Sequence, residues 1–150
     1  MKSEPDVFSF DDLKRKGRTR WDGVRNYVAR NYMMRDMKVG DEVLFYHSNA
    51  DPSGVAGLAT VSALAEPDIS QFDKKSEYYD PKATKEKPRW YCVEVKYQSA
   101  LPRLVSLHEI KADKKLKDMV LLHQSRLSVQ PVTAEEFRYI CKMAERAVPS

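Results

Sequence analysis

The sequence predicts an α+β fold, in which a mixed, barrel-like sheet is flanked by short helices. Its 150 residues suit one domain covering residues 1–150, with a real hydrophobic core. Four or five segments have the composition or alternation of strands. Short helical segments lie between them without regular βαβ spacing, which favours a mixed sheet over a doubly wound fold.

The first half of the chain begins with a short extended segment, because Pro5 favours an extended backbone at Glu4. A short helix follows, with Ser9 as its N-cap, Asp12 in the capping-box position and Gly17 as its stop. The next predicted elements are a helix from Tyr27 capped by Asn26, a central strand over 42–48 and a second strand over 55–65, with Gly57 marking a bulge or a close backbone approach.

The second half opens with a long polar loop from Pro67 to Pro88, of the kind that is either functional or mobile. Strands are predicted over 90–98, 101–107 and 126–132. Capping boxes at Ser106–Glu109 and Thr133–Glu136 open two helices, and residues 113–119 predict a further helical turn between them.

Composition excludes several classes of protein. Net charge is +4 with a pI near 9.0, and the basic residues concentrate between Lys14 and Arg35. Cys92 and Cys141 match no metal or redox spacing and predict buried free thiols in a reducing compartment. No apolar run is long enough for a membrane span and no signal peptide is recognisable, so a cytoplasmic location without a membrane partner is expected.

The stretch from Thr19 to Met34 carries the strongest local signal. Trp21 stands in a charged turn, outside any apolar period, and Gly23 can adopt the positive φ of a tight turn. Arg25 and the capping residue Asn26 follow at once, so free N–H groups of a helix start lie beside a guanidinium. An indole, backbone donors and a cation together suit a flat polar ring or a phosphate.

Each signal also has a simpler interpretation. The basic run Lys14–Arg35 is either a solvated face or, with its interleaved aromatic residues, a nucleic-acid surface. Trp90 is either a core residue at a strand start or a ligand-facing one. His47 is more simply a partly buried histidine with one hydrogen bond than a catalytic group. The sequence contains no metal-ligand spacing, phosphate loop or G-x-S-x-G turn.

Several motifs in the same order resemble those of the EVE-domain family, across nearly the whole chain. They are Lys2-Ser3-Glu4-Pro5, Trp21 to Tyr27, Ala29-Arg30-Asn31, Phe45 to Asn49, Tyr79-Asp80-Pro81 and Arg126 to Pro131. The resemblance implies a PUA-like fold, a mostly antiparallel β pseudo-barrel with short helices, and the reading of modified bases such as modified cytosines. Family members usually carry an aromatic and an apolar residue before K-S-E-P, so a shortened first strand is expected here.

The resemblance also implies a base pocket in this chain. Trp21 and Trp90 would form its walls, backbone groups at Gly23, Val24, Ser128 and Val129 its floor, and Ser3, Glu4, Asn26, Tyr46, His47 and Ser48 its polar contacts. Lys2, Arg25 and Arg30 would bind phosphates. The expected partner is DNA or RNA carrying a modified base such as 5-methylcytosine, bound by a monomer without cofactor, metal or catalytic residue. Two alternatives stay open, namely an enzyme with Glu4, Tyr46 or His47 as acid or base, and a protein-interaction module built on Pro67–Pro88.

Overall fold

Within residues 1–148, which the computed structural model describes, a five-stranded mixed sheet organises the chain. Its strands are β1 (Lys2–Ser3), β2 (Arg18–Arg20), β3 (Glu42–His47), β4 (Gly54–Pro67) and β5 (Tyr91–Ser106). The strand order is β1-β3-β4-β5-β2, with β1 parallel to β3 and the other pairs antiparallel. The predicted α+β class and the short first strand are confirmed.

Short helices flank the sheet, and all but the helix at Val120–His123 begin where the sequence predicts. They are α1 (Phe10–Lys16), α2 (Tyr27–Asn31), α3 (Leu107–Ala112), α4 (Val120–His123) and α5 (Ala134–Ala144), with 3₁₀ turns at Ile69–Phe72 and Lys114–Leu116. A π-helical turn, Tyr32–Asp36, continues the helix that starts at Tyr27. The Ser9 hydroxyl accepts from the Asp12 N–H at 3.0 Å, and the Asp12 carboxylate accepts from the Ser9 N–H at 2.8 Å. The same reciprocal bonds are present at Ser106 and Thr133, so all three predicted capping boxes are confirmed.

Two core clusters lie on opposite faces of the central strand β3. Val43 and Phe45 belong to one cluster, and Leu44 and Tyr46 to the other, as expected for a strand with two buried faces. Gly57 lies in a register shift of β4, where a Cβ would come within 2.1 Å of the Phe10 ring. Both the predicted bulge and the close approach are confirmed.

Three strand predictions need correction. Strands predicted over 90–98 and 101–107 form the single strand β5, because residues 101–104 bulge opposite Ala56 and leave Pro102 outside the regular ladder. The strand predicted over 126–132 is absent and turns and bends replace it. Leu127 and Val129 insert into the core, and the segment meets β1 through the Lys2 N–H to Ser128 carbonyl bond rather than through a ladder. The edge strand β2 was not predicted, because it is short and two of its three residues are arginines.

Both cysteines are free thiols, with Cys92 buried and Cys141 partly buried. Burial raises the pKa of the Cys92 thiol to about 12, so this thiol is unreactive at neutral pH. Among the helices that the structure describes, none combines the length and apolar character of a membrane span.

Candidate nucleic-acid interface

A cavity of about 730 Å³ opens between the two edges of the sheet. One side comes from β1 and the residues after it, and the other from the turn after β2, although these strands stand at opposite ends of the strand order. The sheet therefore curls until its edges face each other. The cavity brings together many of the predicted site residues, namely Lys2, Ser3, Glu4, Trp21, Gly23, Val24, Arg25, Ser48 and Ser128.

Backbone hydrogen bonds fix the floor of this cavity. The Lys2 N–H donates to the Ser128 carbonyl at 2.9 Å, and the Ser48 N–H donates to the Ser3 carbonyl at 3.0 Å. The Lys2 ammonium reaches the carbonyl of Ser125 at 2.7 Å. These bonds join three segments that are distant in sequence, so the cavity depends on the tertiary fold rather than on one local motif.

Trp21 forms a wall of the cavity and also belongs to the core. Only 7% of its surface is exposed, and its ring meets Phe45 edge-on with centroids 5.4 Å apart. It follows the last residue of β2, which explains why it fits no helical or strand period. A substitution of Trp21 would therefore disturb folding as well as any ligand contact.

Arg25 uses all its donors inside the protein. Its guanidinium donates to the carboxylate of Asp68 at 3.0 Å, to the Ser70 hydroxyl at 3.0 Å, to the Tyr78 carbonyl at 2.8 and 3.1 Å, and to the Val24 carbonyl at 2.9 Å. A guanidinium has five N–H donors, and these bonds employ them all. This geometry favours a structural role for Arg25 over the predicted phosphate contact.

Asp68 is the acceptor at the centre of that arrangement, and the sequence analysis did not select it. It is 2% exposed and accepts from the Gly23 N–H at 2.9 Å and from the Ser70 hydroxyl at 2.6 Å. Burial opposes ionisation of this carboxyl, but the hydrogen bonds from Ser70, Gly23 and Arg25 outweigh burial and lower its pKa. The only sequence signal was an Asp-x-Ser pattern directly after β4.

The loop from Pro67 to Pro88 is anchored to the site. Gln71, which is fully buried, accepts from the N–H groups of Arg89 and Trp90 at 2.9 Å and donates to the Trp90 and Asp68 carbonyls at 2.7 Å. A buried amide therefore fixes both ends of this loop beside the cavity.

Tyr78, from the same loop, is an aromatic wall that the sequence analysis missed. Its ring lies over Gly23, where a Cβ would come within 2.7 Å of the ring carbons, and 5.4 Å from the guanidinium of Arg25. Gly23 has φ of +80°, so glycine is required both for the backbone conformation and for this contact. The half-buried ring lines the cavity beside Glu77.

Trp90, by contrast, does not line the cavity. It is buried, its Nε1 donates to Asp80 at 2.8 Å, and the Tyr27 ring stacks on it with centroids 4.7 Å apart. Arg30, a predicted phosphate ligand, donates to the Arg89 carbonyl at 2.8 Å and lies over the Tyr27 ring. This stack supports the loop and the start of α2, and it does not form a wall of the cavity.

Four other predicted residues also lie outside the cavity lining. The Asn26 side chain accepts from the N–H groups of Val28 and Ala29 and so caps α2. His47 accepts from the Phe10 N–H at 3.0 Å through Nε2, and burial lowers its pKa. Tyr46 and Val129 are buried in the two core clusters, and burial raises the pKa of Tyr46.

The rim of the cavity is basic, with Lys2, Lys16, Arg20 and Arg126 around it. Arg20 pairs with Glu66 at 3.0 Å, and Lys16 reaches the Thr19 hydroxyl at 3.3 Å. These exposed contacts are weak, so the cations can exchange them for phosphate oxygens.

A second cavity of about 620 Å³ lies between β3 and α5 and has the opposite character. Its apolar lining includes Met37, Val43 and Phe137, and its charged lining consists of Asp36, Asp41, Glu42 and Arg138. This acidic surface does not suit a phosphate. Within residues 1–148, no group of three or more His, Cys, Asp or Glu side chains could hold a metal ion.

Comparison with known proteins agrees with this fold. A solved structure from Leishmania major is 55% identical, with a TM-score of 0.93, and the match covers 97% of this chain and 92% of that one. The structure of human THYN1 in complex with DNA containing 5-methylcytosine is 41% identical, with a TM-score of 0.94, over 99% of this chain and 97% of that one. The DUF55 domain of human thymocyte nuclear protein 1 has a TM-score of 0.92.

Curated relatives correct one expectation. Human thymocyte nuclear protein 1 is 41% identical over 97% of this chain and 73% of its own length, and zebrafish thymocyte nuclear protein 1 is 42% identical. These relatives are named as nuclear proteins, so the expected cytoplasmic location is wrong. The model of the EVE domain matches residues 1–143, and the chain therefore belongs to the EVE-domain family.

Proposed function

We propose that this chain binds DNA and takes a modified cytosine, 5-methylcytosine first of all, into the cavity between the sheet edges. The observation that carries the proposal is the cavity itself, in which an aromatic wall, polar groups and a basic rim converge from distant segments. The complex of human THYN1 with DNA containing 5-methylcytosine supports DNA as the polymer.

The energies of such binding are balanced. Moving a base out of its stack costs a few kcal/mol, and stacking on an aromatic side chain returns about 1–3 kcal/mol. A buried methyl group adds only about 0.8 kcal/mol. Discrimination of a methylated from a plain cytosine is therefore modest unless the cavity shape or polar contacts contribute.

In this proposal the residues divide into three roles. Trp21 and Tyr78 form the walls, and Ser3, Glu4 and Ser48 contact the polar edge of the base, with backbone groups of Gly23, Val24 and Ser128 beneath it. Lys2, Lys16 and Arg126 bind phosphates, because they lie on the rim. Arg25 and Arg30 instead donate hydrogen bonds to other groups of the protein.

Fluorescence anisotropy with labelled duplexes carrying cytosine or 5-methylcytosine at one position tests the proposal, with matching RNA as a further arm. We expect tighter binding to the methylated duplex, and a loss of about tenfold in affinity with Tyr78→Ala. Tyr139→Ala, on α5 and away from the cavity, is the control. Equal affinity for both duplexes would overturn the proposal, and a preference for the RNA would redirect it.

Neither alternative has a specific observation in its favour. Tyr46 is buried outside the cavity, and His47 already accepts a hydrogen bond at Nε2, which leaves Glu4 as the only cavity residue of that proposed acid/base set. The loop Pro67–Pro88 is anchored to the cavity rather than free for a protein partner. Cleavage or base release that Glu4→Gln or His47→Ala abolishes, with labelled DNA or RNA and divalent metal, would establish an enzyme instead.

A further inference from the structure

Asp22 is an acidic residue of the cavity that stands beside the Trp21 wall. Three acids line the cavity, and the Glu4 carboxylate accepts from the Asn49 amide at 3.0 Å, while Glu77 is exposed on the long loop beside Tyr78. The Asp22 carboxylate accepts no hydrogen bond from another residue among residues 1–148. It lines the cavity between the wall residue Trp21 and Gly23.

The surroundings of Asp22 disfavour its charged form. Burial raises the pKa of its carboxyl first of all, the nearby Asp68 carboxylate adds to the effect, and Lys16 and Arg25 oppose it. Arg25 gives its donors to other acceptors, and the Lys16 ammonium contacts the Thr19 hydroxyl. Asp22 is exposed at the cavity wall, and its carboxylate, without a donor from any other residue within 1–148, is free to accept from a ligand that brings a hydrogen-bond donor.

We propose that Asp22 contacts the exocyclic group at position 4 of the bound base and thereby selects cytosine over thymine. This inference rests on the proposed function, because it assigns a role in the same cavity. Cytosine carries an amino group at position 4, which donates to a carboxylate, and thymine carries a carbonyl oxygen there. Two acceptors facing each other leave both without a donor, and a site built for a donor rejects the base that lacks one.

A polar contact is needed for this choice because apolar contacts cannot make it. Thymine and 5-methylcytosine have the same methyl group at position 5 and rings of nearly the same shape. Trp21 and Tyr78 therefore stack on both bases equally, and a recess for the methyl group accepts both. The selectivity between them has to come from polar groups that distinguish the amino group and bare N3 of cytosine from the carbonyl and N3–H of thymine, and Asp22 is assigned to the first of these positions.

The test uses duplexes with cytosine, 5-methylcytosine or thymine at one position and an abasic site opposite, so that no base pair has to be broken. We expect the wild type to bind 5-methylcytosine about tenfold more tightly than thymine. Asp22→Asn should bring this ratio close to one, because an amide can turn to donate to the thymine carbonyl. Asp22→Ala should also lower it, through loss of the acceptor. Asp36→Asn, at the acidic cavity, should leave it unchanged.

The outcomes separate this inference from the proposed function. An unchanged ratio in Asp22→Asn, with the preference for methylated over plain cytosine intact, overturns the role of Asp22 alone. If the ratio of affinities for 5-methylcytosine and thymine depends on Asp22, but 5-methylcytosine and cytosine bind equally, the role of Asp22 is supported and recognition of the methyl group is overturned. Absence of binding to all three duplexes overturns both. Thermal melting of each variant confirms that it is folded.

Discussion

Two arginine–carboxylate pairs hold different halves of the molecule by the same chemistry. Arg25 and Asp68 join the turn after β2 to the long loop at the cavity, whereas Arg103 and Glu109 join β5 to α3 and α5 at the other core cluster. In each pair the arginine also donates to backbone carbonyls, and the carboxylate also accepts from a serine hydroxyl and an N–H group.

The difference between the two pairs is what they position. Glu109 caps α3 through Ser106 and lies outside the lining of the basic cavity. Asp68 binds the Gly23 N–H, and the carbonyl of Tyr78 binds the same guanidinium that Asp68 neutralises. The first pair therefore sets the distance between two walls of the cavity. Similar electrostatics can thus stabilise a fold in one place and shape a binding site in another.

The largest effect that separates the pairs is expected from Asp68→Asn compared with Glu109→Gln. Each leaves a largely buried arginine without its counter-charge and should lower the free energy of unfolding by about 2–3 kcal/mol, measured by urea denaturation. Only Asp68→Asn should also weaken binding to methylated DNA, by about tenfold, because Tyr78 loses its anchor. Equal loss of affinity in both variants would mean that the comparison is wrong.

The pH dependence of the free energy of unfolding provides a control for Asp68→Asn and Glu109→Gln. Hydrogen bonds lower the pKa of Asp68 and of Glu109 against the opposing effect of burial, so each carboxylate stabilises the fold above the ordinary pKa of its side chain. That contribution is lost as pH falls through the lowered pKa. The difference in stability between wild type and either variant should therefore be full at pH 7 and shrink below about pH 4.

A smaller effect should separate Gly23→Ala from Gly40→Ala. Both glycines have positive φ, +80° and +96°, so each substitution should cost about 1 kcal/mol of stability through backbone strain. A Cβ at Gly23 would also collide with the Tyr78 ring, whereas nothing lies within 4 Å of one at Gly40. Gly23→Ala should therefore unfold more readily and bind methylated DNA more weakly. Unchanged affinity in Gly23→Ala would show that the position of Tyr78 does not matter.

The local parts of this structure were predictable from the sequence, and the long-range parts were not. Ser9 and Asn26 cap helices through partners two or three residues away, which a motif reveals. Asp68 and Tyr78 acquire their roles from Gly23 and Arg25, which are 45 and 53 residues distant, and no local pattern encodes those contacts.

In the candidate site, too, the segments were predictable from the sequence and the partners of individual side chains were not. The family motifs identified the segments that meet at the cavity, such as Lys2–Glu4 and Trp21–Arg25. They did not show which side chains are already occupied, because saturation of a guanidinium or an amide depends on the folded neighbours. Arg25 and Asn26 were therefore predicted as ligand contacts, and the structure gives both internal partners.

The smallest expected effect concerns the charges around the two cavities. Arg126 lies on the basic rim and Arg138 beside the acidic cavity, so Arg126→Gln should remove a proposed phosphate contact and Arg138→Gln should not. Arg126→Gln should lower the slope of log affinity against log salt by about 1 for methylated and plain DNA alike. Because a phosphate contact carries no information about the base, the ratio of the two affinities should stay constant. A changed ratio would place Arg126 at the base itself, and a changed slope in Arg138→Gln would mean that DNA also covers the acidic cavity.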